Sequence, residues 1–358
     1  MRPTFLTMDL AALTHNLALV RTLAPNRKII AMVKANGYGH GLVPMAKHLT
    51  QADALGVASI DEGIQLREAG VTQPIILMEG VFSAEEVQLA AHYDFGLVVH
   101  QELGLRLLEL AKQDLPPFTV WLKINTGMNR LGLQPRDVMT TFLRLQQLAI
   151  VKKPIGLMTH FANADAADLA SAKKQIELFQ QTTTDLAGPR SLANSAAIMR
   201  LPESLGDWVR PGLMLYGASP IAAISKEPDL LQPVMTFWTR IIAINELQPG
   251  DKVGYGSSWT ADESMRIGVI AAGYGDGYPQ FAKSGTPVLI NGVLSQIVGR
   301  VSMDMITVDL RPTPEAMIGD KVTLWGQGLP AQTVATHNHT SAYELFTRIT
   351  ARPRVEYK

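Results

Sequence analysis

From Asp9 onward, apolar residues recur at three- and four-residue steps (Leu10, Leu13, Leu17, Val20), and Asp9 stands where an N-cap carboxylate belongs, which predicts an amphipathic helix. Short apolar runs then alternate with helical spacings: Ile29 to Val33, Leu55 to Ala58, Ile75 to Met78, Leu97 to Val99, Val120 to Ile124 and Ile155 to Met158, with weaker runs at Ser191 to Ala193 and Leu213 to Leu215. Segments between them, such as Glu102 to Ala111 and Val138 to Leu148, read as helices. Eight such alternations predict a (β/α)8 TIM barrel, a fold of about 250 residues. An open doubly wound sheet shares the alternation and is the structural rival.

The pattern changes after Tyr216. Ser219 to Pro233 holds three prolines and reads as a linker. Strand-like runs follow at Phe237 to Ile244, Ile267 to Ala271, Val288 to Ile290, Val298 to Leu310 and Val322 to Trp325, with a short helix over Ala342 to Ile349. Asn291-Gly292 between apolar runs predicts a hairpin. The expected division is a barrel domain over residues 1–230 and a mainly β domain over 231–358.

Composition narrows the chemistry. At 358 residues the chain exceeds one ordinary domain, and 32 Lys and Arg balance 32 Asp and Glu, so charge favours neither nucleic acid nor an anionic membrane. Small molecules or protein are the expected partners. A hydrophobic share of 47% with 18% charged residues suits strands buried on both faces. The absence of cysteine excludes disulfides, thiolate metal sites and a cysteine nucleophile. Met1 to Asn16 has no continuous apolar run and no stretch approaches a membrane span, so a cytoplasmic enzyme is expected.

In a barrel the reactive groups sit where strands finish. The first run ends in Lys34, and a lysine desolvated at a strand end becomes a nucleophilic amine suited to an aldehyde cofactor by Schiff base formation. A lysine snorkelling from the rim is the plain alternative. Gly37, Gly39 and Gly41 let the following loop turn sharply while Tyr38 projects a hydroxyl, although an ordinary loop has the same glycines. Lys123 lies inside an apolar run with Arg130 seven residues on; two converging cations call for carbamylation of the lysine, a bridging anion or a carboxylate. The later runs end in His160, which alone reads as a structural histidine, and in Ser195, whose following helix start offers N–H groups to a phosphate. Arg210 reads as an ordinary salt-bridged arginine or as a cationic wall, and Gly212 permits close backbone approach to a ligand. No Walker loop, dinucleotide fingerprint or metal-ligand spacing competes, so no metal is expected.

The segment Val33-Lys34-Ala35-Asn36-Gly37-Tyr38-Gly39-His40-Gly41 closely resembles the pyridoxal-phosphate attachment site of the bacterial alanine racemases. Further matches follow in order: Lys123 to Gly132, His160-Phe161-Ala162, Asn194-Ser195-Ala196, Trp208 to Gly212, Val253 to Gly256, Gly273 to Tyr278 and Ser302 to Met305. The resemblance implies a barrel followed by a β domain, with residues 1–8 pairing into the latter, and a head-to-tail homodimer with shared sites. It implies pyridoxal 5'-phosphate on Lys34, held by Tyr38, Ser195 and Tyr343 hydroxyls and by the backbone of Gly212 and Leu213. Arg210, supported by His160, would face the ring nitrogen; Arg130, steadied by Lys123 as an N6-carboxylysine, would meet the substrate carboxylate. Met303 backbone is implied at the substrate and Tyr274 at the access corridor. Lys34 and Tyr255 of a second subunit would serve the two faces of alanine, supplying D-alanine for peptidoglycan. Three other readings are weaker. A decarboxylase of basic amino acids does not match the Tyr255 and Tyr274 contexts; broad-specificity racemases tend to be exported and disulfide-bonded; a non-catalytic cofactor carrier needs neither a β domain nor Tyr255.

Overall fold

The computed structural model describes residues 2–221 and 230–358. The chain forms two compact units, one built on Thr14–Leu215 and the other on Met1–Leu13, Tyr216–Ala218 and Leu231–Lys358. The linker expected over 219–233 falls in part on 222–229, outside the described residues.

After β1 (Thr4–Met8) comes the helix Leu10–Leu23, whose start is capped as the spacing predicts: Ala12 N–H donates to Asp9 Oδ1 at 2.9 Å. Then come β2 (Lys28–Met32), β3 (Ala54–Val57), β4 (Ile75–Leu77), β5 (Phe95–Val99), β6 (Val120–Lys123), β7 (Gly156–Met158), β8 (Arg190–Ser191) and β9 (Trp208–Val209). Neighbours from β2 to β8 pair in parallel, and β9 pairs with β2. Bonds from Asp207 N–H to Arg190 O and from Arg210 N–H to Ala193 O bring β8 to β9, making a nearly closed barrel instead of an open sheet. Its interior is filled, as a barrel of this size requires. A Cβ on Gly156 would lie 2.3 Å from the Trp121 ring, and one on Gly56 would lie 2.6 Å from Met32 sulfur.

The eighth strand differs from expectation. Leu213–Tyr216 is a 3-10 turn, and the ladder runs through Trp208–Val209 instead. Pro211 has no N–H to continue pairing, and Gly212 N–H turns to Ser195 Oγ at 2.8 Å, so the apolar run after it leaves the sheet.

The second unit is mainly β: β10 (Met235–Leu247), β11 (Lys252–Val253), β12 (Trp259–Thr260), β13 (Met265–Ile270), β14 (Pro287–Ile290), β15 (Val293–Gln296), β16 (Ile306–Asp309), β17 (Lys321–Trp325) and β18 (Arg354–Tyr357). Long β10 pairs with β1, β13 and β17, and β1 also pairs in parallel with β18. The hairpin forms with Asn291 and Gly292 both at positive φ, 49° and 86°. Only Ile306–Asp309 of the run expected over Val298 to Leu310 is strand, and β18, short and largely exposed, gives no periodic signal. Among the described residues, no helix is long and apolar enough to cross a membrane.

Candidate active site

Lys34 follows the last residues of β2 and is half-buried, not enclosed as its strand-end position suggests. Beyond it the chain makes a turn of left-handed helix: Ala35, Asn36, Gly37 and Tyr38 have φ of 52°, 55°, 59° and 52°. Non-glycine residues there cost about 1–2 kcal/mol each, so surrounding bonds must hold the turn. Asn36 Oδ1 accepts from Leu42 N–H at 2.9 Å, and Gly37 N–H donates to Val33 O at 2.8 Å.

The turn delivers the Tyr38 side chain, buried, to the other edge of the same mouth. A Cβ on Gly212 would sit 2.4 Å from Tyr38 Oη, so glycine is what lets the two approach. Buried Ser195, first residue of a six-residue helix, accepts at Oγ from the N–H groups of Gly212 (2.8 Å) and Met214 (3.4 Å). Leu213 is buried in the same turn. The Tyr38 and Ser195 hydroxyls therefore converge at Gly212, with the Gly212 and Met214 N–H groups turned to Ser195 Oγ; hydroxyls and backbone N–H groups gathered in this way are the kind of donors that suit a phosphate monoester.

A cationic wall stands beside this cradle. Arg210, 3% exposed, is no salt-bridged arginine: among the described residues it has no carboxylate partner. Its guanidinium donates to Ser191 O (2.8 Å), Ser191 Oγ (2.5 Å), Thr159 O (2.5 Å) and Leu192 O (3.2 Å). Burial lowers it only to about 10, so it stays charged at neutral pH. It also donates to His160 Nδ1 at 3.4 Å. His160 is pushed well below its ordinary value, first by burial and then by Arg210, Lys123, Arg130 and Lys34, and so remains neutral.

Lys123, 7% exposed at the end of β6, is lowered to about 8 by burial and then by Arg210, Arg130 and Lys34, with Glu79 offsetting part of the effect. The structure thus brings together the cations that sequence spacing brought into question. Arg130 is exposed, on a loop knotted by Asn125, whose Oδ1 accepts from the N–H groups of Gly127 and Asn129.

Tyr255, Tyr274, Met303 and Tyr343 belong to the β unit. Tyr274 and Met303 are neighbours: Tyr274 N–H donates to Ser302 O and Gly275 N–H to Met303 O. Buried Asp276 fixes that corner, accepting from Gly273 N–H at 2.9 Å and pairing with Arg2 at 2.5 Å. Tyr255 is 73% exposed on a turn flanked by Gly254 and Gly256 at positive φ, and Tyr343 is exposed on the helix Ala342–Thr347.

Sequence reading missed the residues that tie these loops together. Buried Gln175 accepts from Ala162 N–H and donates to His160 O and Thr126 Oγ1, linking the loops after β6 and β7. Its one signal is a polar side chain on the inward side of the helix Ala170–Thr183.

Profiles of two domains cover nearly the whole chain: residues 8–220 match "Alanine racemase, N-terminal domain" and residues 234–357 match "Alanine racemase, C-terminal domain". An alanine racemase of Aeromonas hydrophila is 47% identical over 358 residues, 100% of each chain. The biosynthetic alanine racemase of Escherichia coli is 46% identical over 347 residues, covering 97% of this chain and 96% of that one. The crystal structure of the biosynthetic alanine racemase of Pseudomonas aeruginosa superimposes with a TM-score of 0.96 at 41% identity and full coverage of both chains. Matched over both of its domains and from end to end, the chain belongs to the alanine racemase family.

Proposed function

We propose that the protein interconverts L- and D-alanine with pyridoxal 5'-phosphate held at the barrel mouth. The observation that carries the reading is the juxtaposition of a strand-end lysine with the Tyr38, Ser195 and Gly212 cradle. When bound, the cofactor supplies an electron sink that acidifies the Cα–H of an attached amino acid. Lys34 would hold it, and its amine would take or return a proton at one face of Cα. Tyr255 of a second copy serves the opposite face, which makes the working unit a homodimer. Tyr38, Ser195 and Tyr343 hydroxyls with the Gly212 and Leu213 N–H groups bind the phosphate. Arg210, steadied by neutral His160, would meet the ring nitrogen of a bound cofactor as a donor that keeps its own proton. Arg130 receives the substrate carboxylate, the Met303 backbone lies at the substrate, and Tyr274 lines its approach. We place the reaction in the cytoplasm, as D-alanine supply for peptidoglycan; the relatives of Escherichia coli and Pseudomonas aeruginosa are named biosynthetic, which supports a supply role. A chiral assay of L-alanine with and without added cofactor tests this: D-alanine forms only with cofactor, and no D-alanine in either case refutes it.

Two expectations follow for the cradle and the wall. Gly212→Ala forces the Tyr38 hydroxyl out of its seat and weakens cofactor binding by about tenfold to a hundredfold, the cost of overpacking by about 1–3 kcal/mol, read by equilibrium dialysis. Lys123, at about 8, has about a tenth of its amine neutral at pH 7, and only the neutral amine adds carbon dioxide. Carbon-13 bicarbonate should therefore label Lys123 as a carbamate, with labelling rising as pH increases through 8 and absent in Lys123→Ala.

A further inference from the structure

Ser59-Ile60-Asp61-Glu62, at the start of the helix Ile60–Glu68, has the spacing of a capping box, in which the serine side chain caps the first turn and the glutamate reaches back to the serine N–H. The structure departs from that pattern. Ser59 makes no side-chain cap bond. Half-buried Glu62 instead accepts at Oε2 from Ala58 N–H, 2.8 Å away just past β3, and at Oε1 from Ala35 N–H, 2.6 Å away. Ala35 N–H belongs to the peptide bond that follows Lys34, at the start of the left-handed turn. One carboxylate therefore joins the end of β3 to the peptide from which the Lys34 side chain is aimed. Both partners are N–H donors, so the position calls for two acceptor oxygens; an amide offers one oxygen and a competing NH2.

The helix Ala84–His92 gives an internal comparison. Ser83-Ala84-Glu85-Glu86 has the same spacing, yet here Ser83 Oγ accepts from Glu86 N–H at 3.2 Å and Glu86 Oε2 accepts from Phe82 N–H at 2.7 Å, both bonds lying within one helix start.

We propose that Glu62 is a positioning residue for Lys34: its carboxylate locks the Lys34–Ala35 peptide and the strained turn beyond it, holding the amine toward the barrel mouth. This rests on the assignment of Lys34 to the cofactor. The test compares wild-type, Glu62→Gln and Glu86→Gln holoenzymes by Tm, alanine kcat and KM, borohydride-trapped cofactor at Lys34 per cofactor bound, and hydrogen exchange across residues 35–41. Both variants should lose similar Tm. Glu62→Gln alone should lower kcat by about 10- to 100-fold with KM within about twofold, reduce the trapped fraction and speed exchange across the turn. Equal behaviour of the two variants overturns the proposal. Should Glu62→Gln fail to fold, wild-type exchange decides: a protected Ala35 amide is expected, and one exchanging as fast as an open loop overturns it. Absence of label at Lys34 in the wild type refutes the cofactor assignment instead, an outcome separate from any difference between the variants.

Discussion

Mixing a Lys34→Ala chain with a Tyr255→Ala chain should restore racemisation to about a quarter of the wild-type level, because random exchange makes half of the dimers mixed and each mixed dimer owns one intact site of two. Each variant alone should fall by about 10²- to 10⁴-fold, the usual contribution of a positioned acid or base. In racemisation a proton leaves one face of Cα and another arrives at the opposite face, which one side chain serves poorly. Lys34 belongs to the barrel unit, whereas Tyr255 stands 73% exposed on a glycine-flanked turn of the β unit, a phenol displayed outward and available to a second copy. No recovery in mixtures whose heterodimers are confirmed by mass would remove the shared-site assignment.

Arg210→Glu should lower racemisation and raise the share of turnovers that end in transamination by about tenfold or more. Arg210 donates to the carbonyls of Ser191, Thr159 and Leu192, and burial lowers its guanidinium only to about 10, so it stays charged at neutral pH. A cation that keeps its proton would leave the ring nitrogen of the bound cofactor without a proton donor, making it a shallower electron sink. A carboxylate there would reverse the arrangement: it is acceptor-only, would face the carbonyl oxygens that Arg210 now satisfies, and would favour a protonated ring nitrogen in the bound cofactor. Arg210→Lys, which keeps a cation, is the matching control for fold and charge. An unchanged ratio of transamination to racemisation in Arg210→Glu would discard this role.

The barrel was legible because its strands are buried on both faces, as in β3, β5 and β6, and so appear as unbroken apolar runs. Its eighth strand was not, since the two residues of β9 are shorter than the Leu213 to Leu215 run that follows and turns away. β18 escaped for the opposite reason: its residues lie largely in solvent and need no apolar pattern. At the site, the crowding of Lys123 and Arg130 was visible from spacing, and their meeting with Arg210 and His160 came from barrel closure. The carbonyl cage of Arg210 was illegible because backbone oxygens have no residue identity. The left-handed turn after Lys34 was hinted at only by glycines, while three of its four positive-φ residues, Ala35, Asn36 and Tyr38, are not glycine. Asn36 and Gly37 tolerate that region by type, whereas Ala35 and Tyr38 do not; their conformation depends on bonds such as the local one of Asn36 to Leu42 and the long-range one of Glu62 to Ala35, which no propensity encodes.

Reduction of the purified holoenzyme with borohydride, followed by peptide mapping, addresses the central assignment most directly. The cofactor mass should appear on the peptide carrying Lys34 and disappear from it in Lys34→Ala; a label on any other lysine, or on none, would contradict the account.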